Sequence, residues 1–198
     1  FRYPKVTKAE AAYAYDVVMT IEYGEGDILI CNLTLGKNGF VSHCDEMEIY
    51  EGETETETWD FTYNSNGQLT QMLRSEGGCE KTQIKYDNGD IVEVSTTSAE
   101  ELDESSTYKI YYTSNNVQTA IENKGCIMLF DNTLGIDMDE MEYAYLAGLL
   151  GKATKHLPVR CVDVEEDYTD IFTWTLNYAG YPIKLSFDDS PETMTFAW

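Results

Sequence analysis

Four short segments of the chain share one pattern, in which an apolar residue, a spacer and a tyrosine precede turn-forming residues and another aliphatic residue. They read FTYNSNGQL from Phe61, IKYDNGDI from Ile84, IYYTSNNV from Ile110 and LNYAGYPI from Leu176. The tyrosine ends one strand, a tight turn reverses the chain, and the aliphatic residue begins the next strand. The tyrosine and the aliphatic residue then form a cross-strand pair. The repeat therefore predicts a series of β-hairpins.

The turn residues support this prediction. Asn88-Gly89 is the strongest hairpin signal, because a type I′ turn requires positive φ at both central residues. Asn64–Gly67 is a longer version and Ala179-Gly180 a shorter one, whereas Ser114–Asn116 has asparagine where the others have glycine. Gly36–Gly39 marks a fifth turn. We expect hairpins at every tyrosine repeat.

The flanking residues alternate with a period of two. Trp59, Phe61 and Tyr63 lie on one face of a predicted strand, and Asp60 and Thr62 lie on the other. Hairpins joined by short connections predict an antiparallel meander, because parallel pairs need long crossovers. The acidic stretch 50–58 is interpreted as the solvated outer half of a long strand, and the stretch 95–107 as a loop.

One segment departs from the strand pattern. Apolar residues from Met138 to Leu150 recur at the spacing of an amphipathic helix, acidic residues crowd its start, and Pro158 follows its end. We predict a helix over about 138–156 that packs Met141, Tyr145 and Leu149 against the sheet.

Composition limits the classes of partner. The 198 residues contain no Pro-, Gly- or Ser-rich linker, which predicts a single domain over 1–198. A net charge of −23 repels phosphate backbones, so nucleic acid is not an expected partner. No apolar run is long enough to span a bilayer as a helix.

No motif in the sequence predicts catalysis. The common nucleotide, phosphate, esterase and zinc-protease signatures are absent. His43 and Cys44 point to opposite faces of a strand, and His156 is separated from Cys161 by Pro158, so neither pair is predicted to be catalytic.

The sequence also predicts no metal site and no cofactor. The five cysteines lack paired metal-ligand spacing, and the acidic segments 87–90 and 167–170 do not fit a calcium-binding EF loop.

Cys31 and Cys44 flank the Gly36–Gly39 turn, and two registers are open. If Lys37 and Asn38 form the loop, the two cysteines face each other directly. If Asn38 and Gly39 turn instead, Cys31 faces Glu46 and Cys44 faces Leu33. Both registers place the two sulfur atoms on one face, as a disulfide or as two buried free thiols.

Several segments together resemble a known family: WDFTYNSNGQLTQM, TQIKYDNGDIVEV, YAYLAGLLGKATKHLP and FTWTLNYAGYPIKLSF. They are similar, over residues 12 to 198, to a family of extracytoplasmic proteins of unknown function from gut-type Gram-negative anaerobes, described as having a porin-like fold. The resemblance implies a secreted or lipid-anchored precursor, a strongly curved antiparallel sheet and no assigned activity. It supplies no catalytic residues.

We therefore expect a mainly β fold: one strongly curved antiparallel meander, open or partly closed like a barrel, with the helix on its concave face. Its strands are not expected to lie in a membrane, because segments such as ETETETWDFTY carry acids where lipid would be.

The leading hypothesis for function is a non-catalytic binding or scaffold domain, extracytoplasmic, in the periplasm or at the cell surface, with an N-terminal lipid anchor on the precursor. Its ligand or protein partner is not identified by the sequence. The first alternative is a carrier of an apolar ligand in a cleft between sheet and helix. The residues proposed to line that cleft are Tyr145, Leu149, Tyr63, Tyr86 and Tyr112. The second alternative is a carboxylate-dependent hydrolase.

Overall fold

The fold is mainly β, as predicted. The structure, a computed structural model, describes residues 5–8, 15–24, 26–75, 79–99, 105–188 and 190–198. Its strands are β1 (Lys5–Lys8), β2 (Val17–Gly24), β3 (Asp27–Leu35), β4 (Val41–Tyr50), β5 (Glu53–Tyr63), β6 (Leu69–Arg74), β7 (Lys81–Asp87), β8 (Asp90–Thr97), β9 (Ser106–Tyr111), β10 (Ile121–Glu122), β11 (His156–Leu157), β12 (Arg160–Asp163), β13 (Tyr168–Leu176), β14 (Pro182–Phe187) and β15 (Thr193–Thr195).

One large antiparallel sheet contains 13 of these strands, in the order β1 to β9 and then β12 to β15. Most neighbours in this order are also neighbours in the sequence, which confirms the meander. The sheet is not closed, because β1 and β15 lie at its two ends in the part of the chain that is described. Strands β10 and β11 form a separate antiparallel pair.

The contacts between residues group the chain into two compact units. The first contains β1 to β6 and the segment Glu140–Gly151. The second contains Thr82–Thr97, residues 105–139 and Lys152–Trp198.

Three hairpin loops have the same hydrogen-bonding pattern. They are Gly36–Phe40, Asn64–Gln68 and Asn177–Tyr181, and in each the first N–H donates to the carbonyl of the fifth residue, at 2.7 to 3.0 Å. Their fourth residues, all glycine, have φ of 82°, 78° and 82°. A register shift lies beside each loop. The left-handed glycine therefore adds one bulged residue to each hairpin.

Two hairpins turn more tightly. Asn88 and Gly89 have φ of 51° and 97°, the positive pair that the sequence predicted for a type I′ turn between β7 and β8. Glu51 and Gly52 have φ of 48° and 85° between β4 and β5. The interpretation of 50–58 as strand is therefore correct from Glu53 onward. The turn at Glu51 and Gly52 was not predicted from the sequence.

The prediction of a hairpin at every tyrosine repeat is wrong at the third repeat. The chain turns there, with the Ser114 N–H donating to the Val117 carbonyl, but the following residues do not return beside β9. Strand β9 pairs instead with β12, which begins at Arg160. Neither Asn115 nor Asn116 has positive φ, so this turn lacks the left-handed residue that returns the chain in the other repeats.

The stretch 95–107, interpreted as a loop, is partly strand. Ser95 and Thr96 of β8 pair with Thr107 and Ser106 of β9. Residues 100–104 lie outside the described part of the chain.

The predicted helix over 138–156 is too long. A 3₁₀ turn at Asp139–Met141 continues into helix α2 (Glu142–Leu146); helix α1 (Asp131–Leu134) precedes them. Gly148 and Gly151 have φ of 76° and 103°, which a right-handed helix does not allow. No helix of the described residues is long and apolar enough to cross a membrane.

The segment 140–151 nevertheless packs against the sheet of the first unit, as predicted. Met141, Tyr145 and Leu150 are buried, while Leu149 is half-buried and accepts a hydrogen bond from the Val41 N–H through its carbonyl. A Cβ at Gly151 would lie 3.1 Å from the backbone nitrogen of Leu69. The glycine therefore permits this close approach as well as the positive φ.

Leu150 and Leu146 form a matched pair for testing this packing. Leu150 is fully buried, and Leu146 is 54% exposed. Leu150→Asp should lower the free energy of unfolding by about 3 kcal/mol or more, because it removes a packed side chain and buries a charge. Leu146→Asp should change it by about 0.5 kcal/mol or less. Urea unfolding of both variants tests this, and equal effects would contradict the placement of the segment.

Candidate functional site

The candidate site lies on one face of strands β3, β4 and β5. Cys31 lies opposite Glu46, and Glu46 lies opposite Glu57. In the neighbouring row, Leu33 lies opposite Cys44, and Cys44 lies opposite Trp59. Directly opposed residues point to the same face of a sheet. Three adjacent strands therefore bring two thiols and two carboxyls onto one face.

This arrangement corresponds to the second of the two registers considered for Cys31 and Cys44. The register shift between Thr34 and Leu35, beside the Gly36–Phe40 loop, produces it. Cys31 and Cys44 are diagonal neighbours, and both are buried free thiols.

A polar network surrounds Trp59 in this layer. The Trp59 indole N–H donates to Glu46 Oε2 and to Glu57 Oε1, both at 3.2 Å. Arg74 donates to both carboxylate oxygens of Glu57, at 2.8 and 3.2 Å. Its guanidinium carbon also lies 4.8 Å from the centre of the Trp59 ring. The indole and the guanidinium together provide hydrogen bonds to the buried Glu46 carboxyl and the half-buried Glu57 carboxyl.

Beside this network is an open cleft of about 210 Å³. Five glutamates, one arginine and two hydroxyl residues line it: Glu46, Glu48, Glu55, Glu57, Glu140, Arg74, Thr56 and Ser75. Glu140 accepts a hydrogen bond from the Tyr23 hydroxyl at 2.8 Å. The cleft belongs entirely to the first unit and is polar.

Burial changes the protonation of this layer. Glu46 is only 8% exposed, and burial, together with the hydrogen bond that its protonated carboxyl donates to the neighbouring Glu57, raises its pKa to about 8. The contact with Cys44 and burial raise the pKa of the Cys31 thiol far above its ordinary value. Burial and the bond to Glu140 likewise raise the pKa of Tyr23. Glu46 therefore carries a proton at neutral pH.

The five residues proposed from the sequence to line an apolar cleft do not line this one. Tyr145 is buried, and Leu149 and Tyr63 are half-buried, all in the first unit. Tyr86 and Tyr112 are half-buried in the second unit.

Two of the repeat tyrosines have a structural role. The Tyr63 hydroxyl donates to the Val41 carbonyl at 2.6 Å, and the Tyr112 hydroxyl donates to the Ile91 carbonyl at 3.0 Å. Each tyrosine thus ties its strand to the start of an earlier one.

Both histidines of the chain contact aspartates away from the cleft. His43 lies 2.8 Å from Asp60 through Nδ1, and the hydrogen bond to Asp60 raises its pKa. His156 contacts Asp90 at 2.6 Å through Nδ1 and at 2.8 Å through its backbone N–H. Both imidazoles therefore contact carboxylates.

Sequence reasoning missed Glu46, Glu57, Trp59 and Arg74 as a group. The available signal was the register in which Cys31 faces Glu46. Arg74 could not have been added from that signal, because its position depends on the pairing of β5 with β6.

The stabilising effect of the Arg74–Glu57 ion pair can be compared with that of a more exposed ion pair, Lys85–Glu93. The Arg74 and Glu57 side chains are 19% and 12% exposed, whereas those of Lys85 and Glu93 are 65% and 28% exposed. Arg74→Met should lower the free energy of unfolding by about 2 kcal/mol or more, because it leaves a shielded carboxylate without its cation. Lys85→Met should cost less than about 1 kcal/mol. Chemical denaturation of both variants measures the difference, and an equally small loss for Arg74→Met would show that the network is not stabilising.

Comparison with known proteins gives a family and similar folds. A family model described as "Domain of unknown function (DUF4595) with porin-like fold" matches residues 3–184. No curated protein matches the chain.

Two solved structures are similar to it. A porin-like protein from Bacteroides uniformis ATCC 8492 is 10% identical, with a TM-score of 0.37, over 89% of this chain and 92% of that chain. A porin-like protein from Bacteroides vulgatus ATCC 8482 is 16% identical, with a TM-score of 0.49, over 92% of this chain and 85% of that chain. Because the family model matches most of its length, the chain belongs to the DUF4595 family of domains of unknown function with a porin-like fold.

Proposed function

We propose that this protein is a non-catalytic, extracytoplasmic binding domain of the bacterial cell envelope, and that the cleft of the first unit holds a positively charged group of its ligand. The observation that carries the proposal is the lining of the cleft, where five glutamates face one arginine. The net charge of −23 acts in the same direction, because it attracts cationic ligands and repels anionic ones.

The pairing of strands β4 and β5 supports this choice of ligand. Glu48 lies opposite Glu55, in the row next to that of Glu46 and Glu57. An ammonium or guanidinium group of a ligand would be attracted to these acidic side chains of the cleft.

The geometry of the Glu46–Glu57 pair disfavours glycoside hydrolysis. Glu46 and Glu57 are close enough to share a hydrogen bond. Glycoside hydrolases need their two carboxyls about 5 Å apart or more, so that a sugar or a water fits between them. Neither histidine lines the cleft to act as a general base.

A polar cleft also disfavours the carrier of an apolar ligand, because apolar ligands are held mainly by hydrophobic and aromatic side chains. The extracytoplasmic location and an N-terminal lipid anchor on the precursor are part of the proposal and rest on the family resemblance. Protease treatment of intact cells, and of cells whose outer membrane has been permeabilised, tests the location in cells that express the natural precursor: digestion in either sample supports an extracytoplasmic position, and protection until the cytoplasmic membrane is broken contradicts it.

Trilysine is a suitable probe of the cleft, with triglycine as the uncharged peptide. The double variant Glu48→Gln/Glu55→Gln removes two charges from the cleft. Glu51→Gln/Glu53→Gln removes two charges from the same hairpin at residues that do not line the cleft. In calorimetric titration at low salt, the cleft variant should bind trilysine about 10-fold more weakly or worse, and the control variant should change affinity by less than about 2-fold.

The outcomes separate specific binding from a general charge effect. Equal weakening in the two double variants would assign the binding to net charge alone and contradict the cleft. Absence of trilysine binding to the unmodified chain, or equal binding of triglycine, would overturn the proposed class of ligand.

A further inference from the structure

Three buried groups with metal-binding chemistry converge under the cleft. The Cys31 sulfur, the Cys44 sulfur and a carboxylate oxygen of Glu46 all lie within 4.8 Å of one another. The side chains come from two adjacent, hydrogen-bonded strands, β3 and β4, and all three residues are buried. Among the described residues, no other such group of three forms.

We propose that Cys31, Cys44 and Glu46 form a zinc site with two thiolate ligands and one carboxylate ligand. Zinc is bound by exactly these donor types in proteins, at about 2.3 Å from sulfur and about 2.0 to 2.2 Å from oxygen. Two sulfur atoms around a tetrahedral zinc are therefore about 3.8 Å apart, which the observed spacing accommodates. Three protein ligands leave the fourth position for water or for a ligand atom.

The surroundings of Glu46 fit a metal ligand. The Trp59 indole N–H donates to Oε2 of Glu46, the same oxygen that lies 3.8 Å from the Cys31 sulfur. Hydrogen bonds of this kind orient the ligands of metal sites and are important for affinity. Strands hold such ligands more firmly than loops do.

Burial is ordinary for the two cysteines and costly for the glutamate. A buried free cysteine behaves as a small apolar residue. A carboxyl buried against two thiols costs free energy unless it is neutralised or binds a cation. Zinc binding would replace up to three protons, one from each ligand, with one divalent ion, and these protons would pass to the solvent.

The zinc site shares Glu46 with the lining of the cleft, but the two tests read different residues. Trilysine binding is assigned to Glu48 and Glu55, whereas the cobalt band reports the two cysteines, which do not line the cleft. Either proposal can fail without the other.

Cobalt titration of the reduced, metal-free 198-residue chain tests the site directly. Co²⁺ bound by thiolate should produce a sulfur-to-metal charge-transfer band with one equivalent of metal, and Zn²⁺ should abolish the band by displacing Co²⁺. Cys31→Ser and Cys44→Ser should each weaken Zn²⁺ binding by about 10-fold or more. Glu46→Gln should weaken Zn²⁺ binding while keeping the band, since it retains both sulfur ligands.

The other cysteines supply matched controls. Cys161 is buried in the second unit, and Cys79 and Cys126 are exposed. Cys161→Ser and the double variant Cys79→Ser/Cys126→Ser should keep both the band and the Zn²⁺ affinity. A band that disappears in either control, or persists in Cys31→Ser/Cys44→Ser, would place the metal elsewhere and overturn the assignment.

A measurement on the unmodified chain tests the site even if the cysteine variants fail to fold. Zn²⁺ should slow alkylation of Cys31 and Cys44 by iodoacetamide, read by peptide mass mapping, and should leave Cys79 and Cys126 as reactive as before. Unchanged alkylation of Cys31 and Cys44 with saturating Zn²⁺ would overturn the proposal. A Cys31–Cys44 disulfide in the protein isolated from its natural location would do the same, because a disulfide offers the metal no thiolate.

Discussion

The left-handed backbone at Gly39 sets the register on which the buried layer of the first unit depends. Its φ of 82° adds one bulged residue to the β3–β4 hairpin, beside the register shift between Thr34 and Leu35. That shift places Glu46 opposite Cys31. In the alternative register, Cys31 would face Cys44 directly, and the short separation of directly opposed residues would favour a disulfide over a metal site.

Given that register, the remaining contacts follow from charge and burial. Glu46 enters an apolar layer, where an ionised carboxylate is costly. Trp59 donates a hydrogen bond to Glu46, and Arg74 donates one to Glu57. These bonds reduce the free-energy cost of shielding the two carboxyls from water. Further out along the same hairpin, the acidic residues Glu48 and Glu55 line the open cleft. One hairpin therefore connects a buried site with an open one.

Local turn chemistry made most of the fold predictable. Asn88-Gly89 and the three five-residue loops carry glycine where φ must be positive. The length of the helix was overestimated, because Gly148 and Gly151 lie inside its predicted range and their positive φ does not fit a right-handed helix. The third repeat failed because β12, far along the sequence, pairs with β9 in place of the returning strand. The cleft needs the β4–β5 and β5–β6 pairings together, and only the register of the β3–β4 hairpin was considered from the sequence.

Interstrand nuclear Overhauser effects on isotopically labelled protein report the register of the β3–β4 hairpin. Backbone contacts are expected to join Cys31 with Glu46 and Leu33 with Cys44, the pairs that place the glutamate beside both thiols. Backbone contacts that join Cys31 with Cys44 and Leu29 with Glu46 would show the unshifted register. In that case the bulge at Gly39 would not set the register, and the buried layer would have to be built differently.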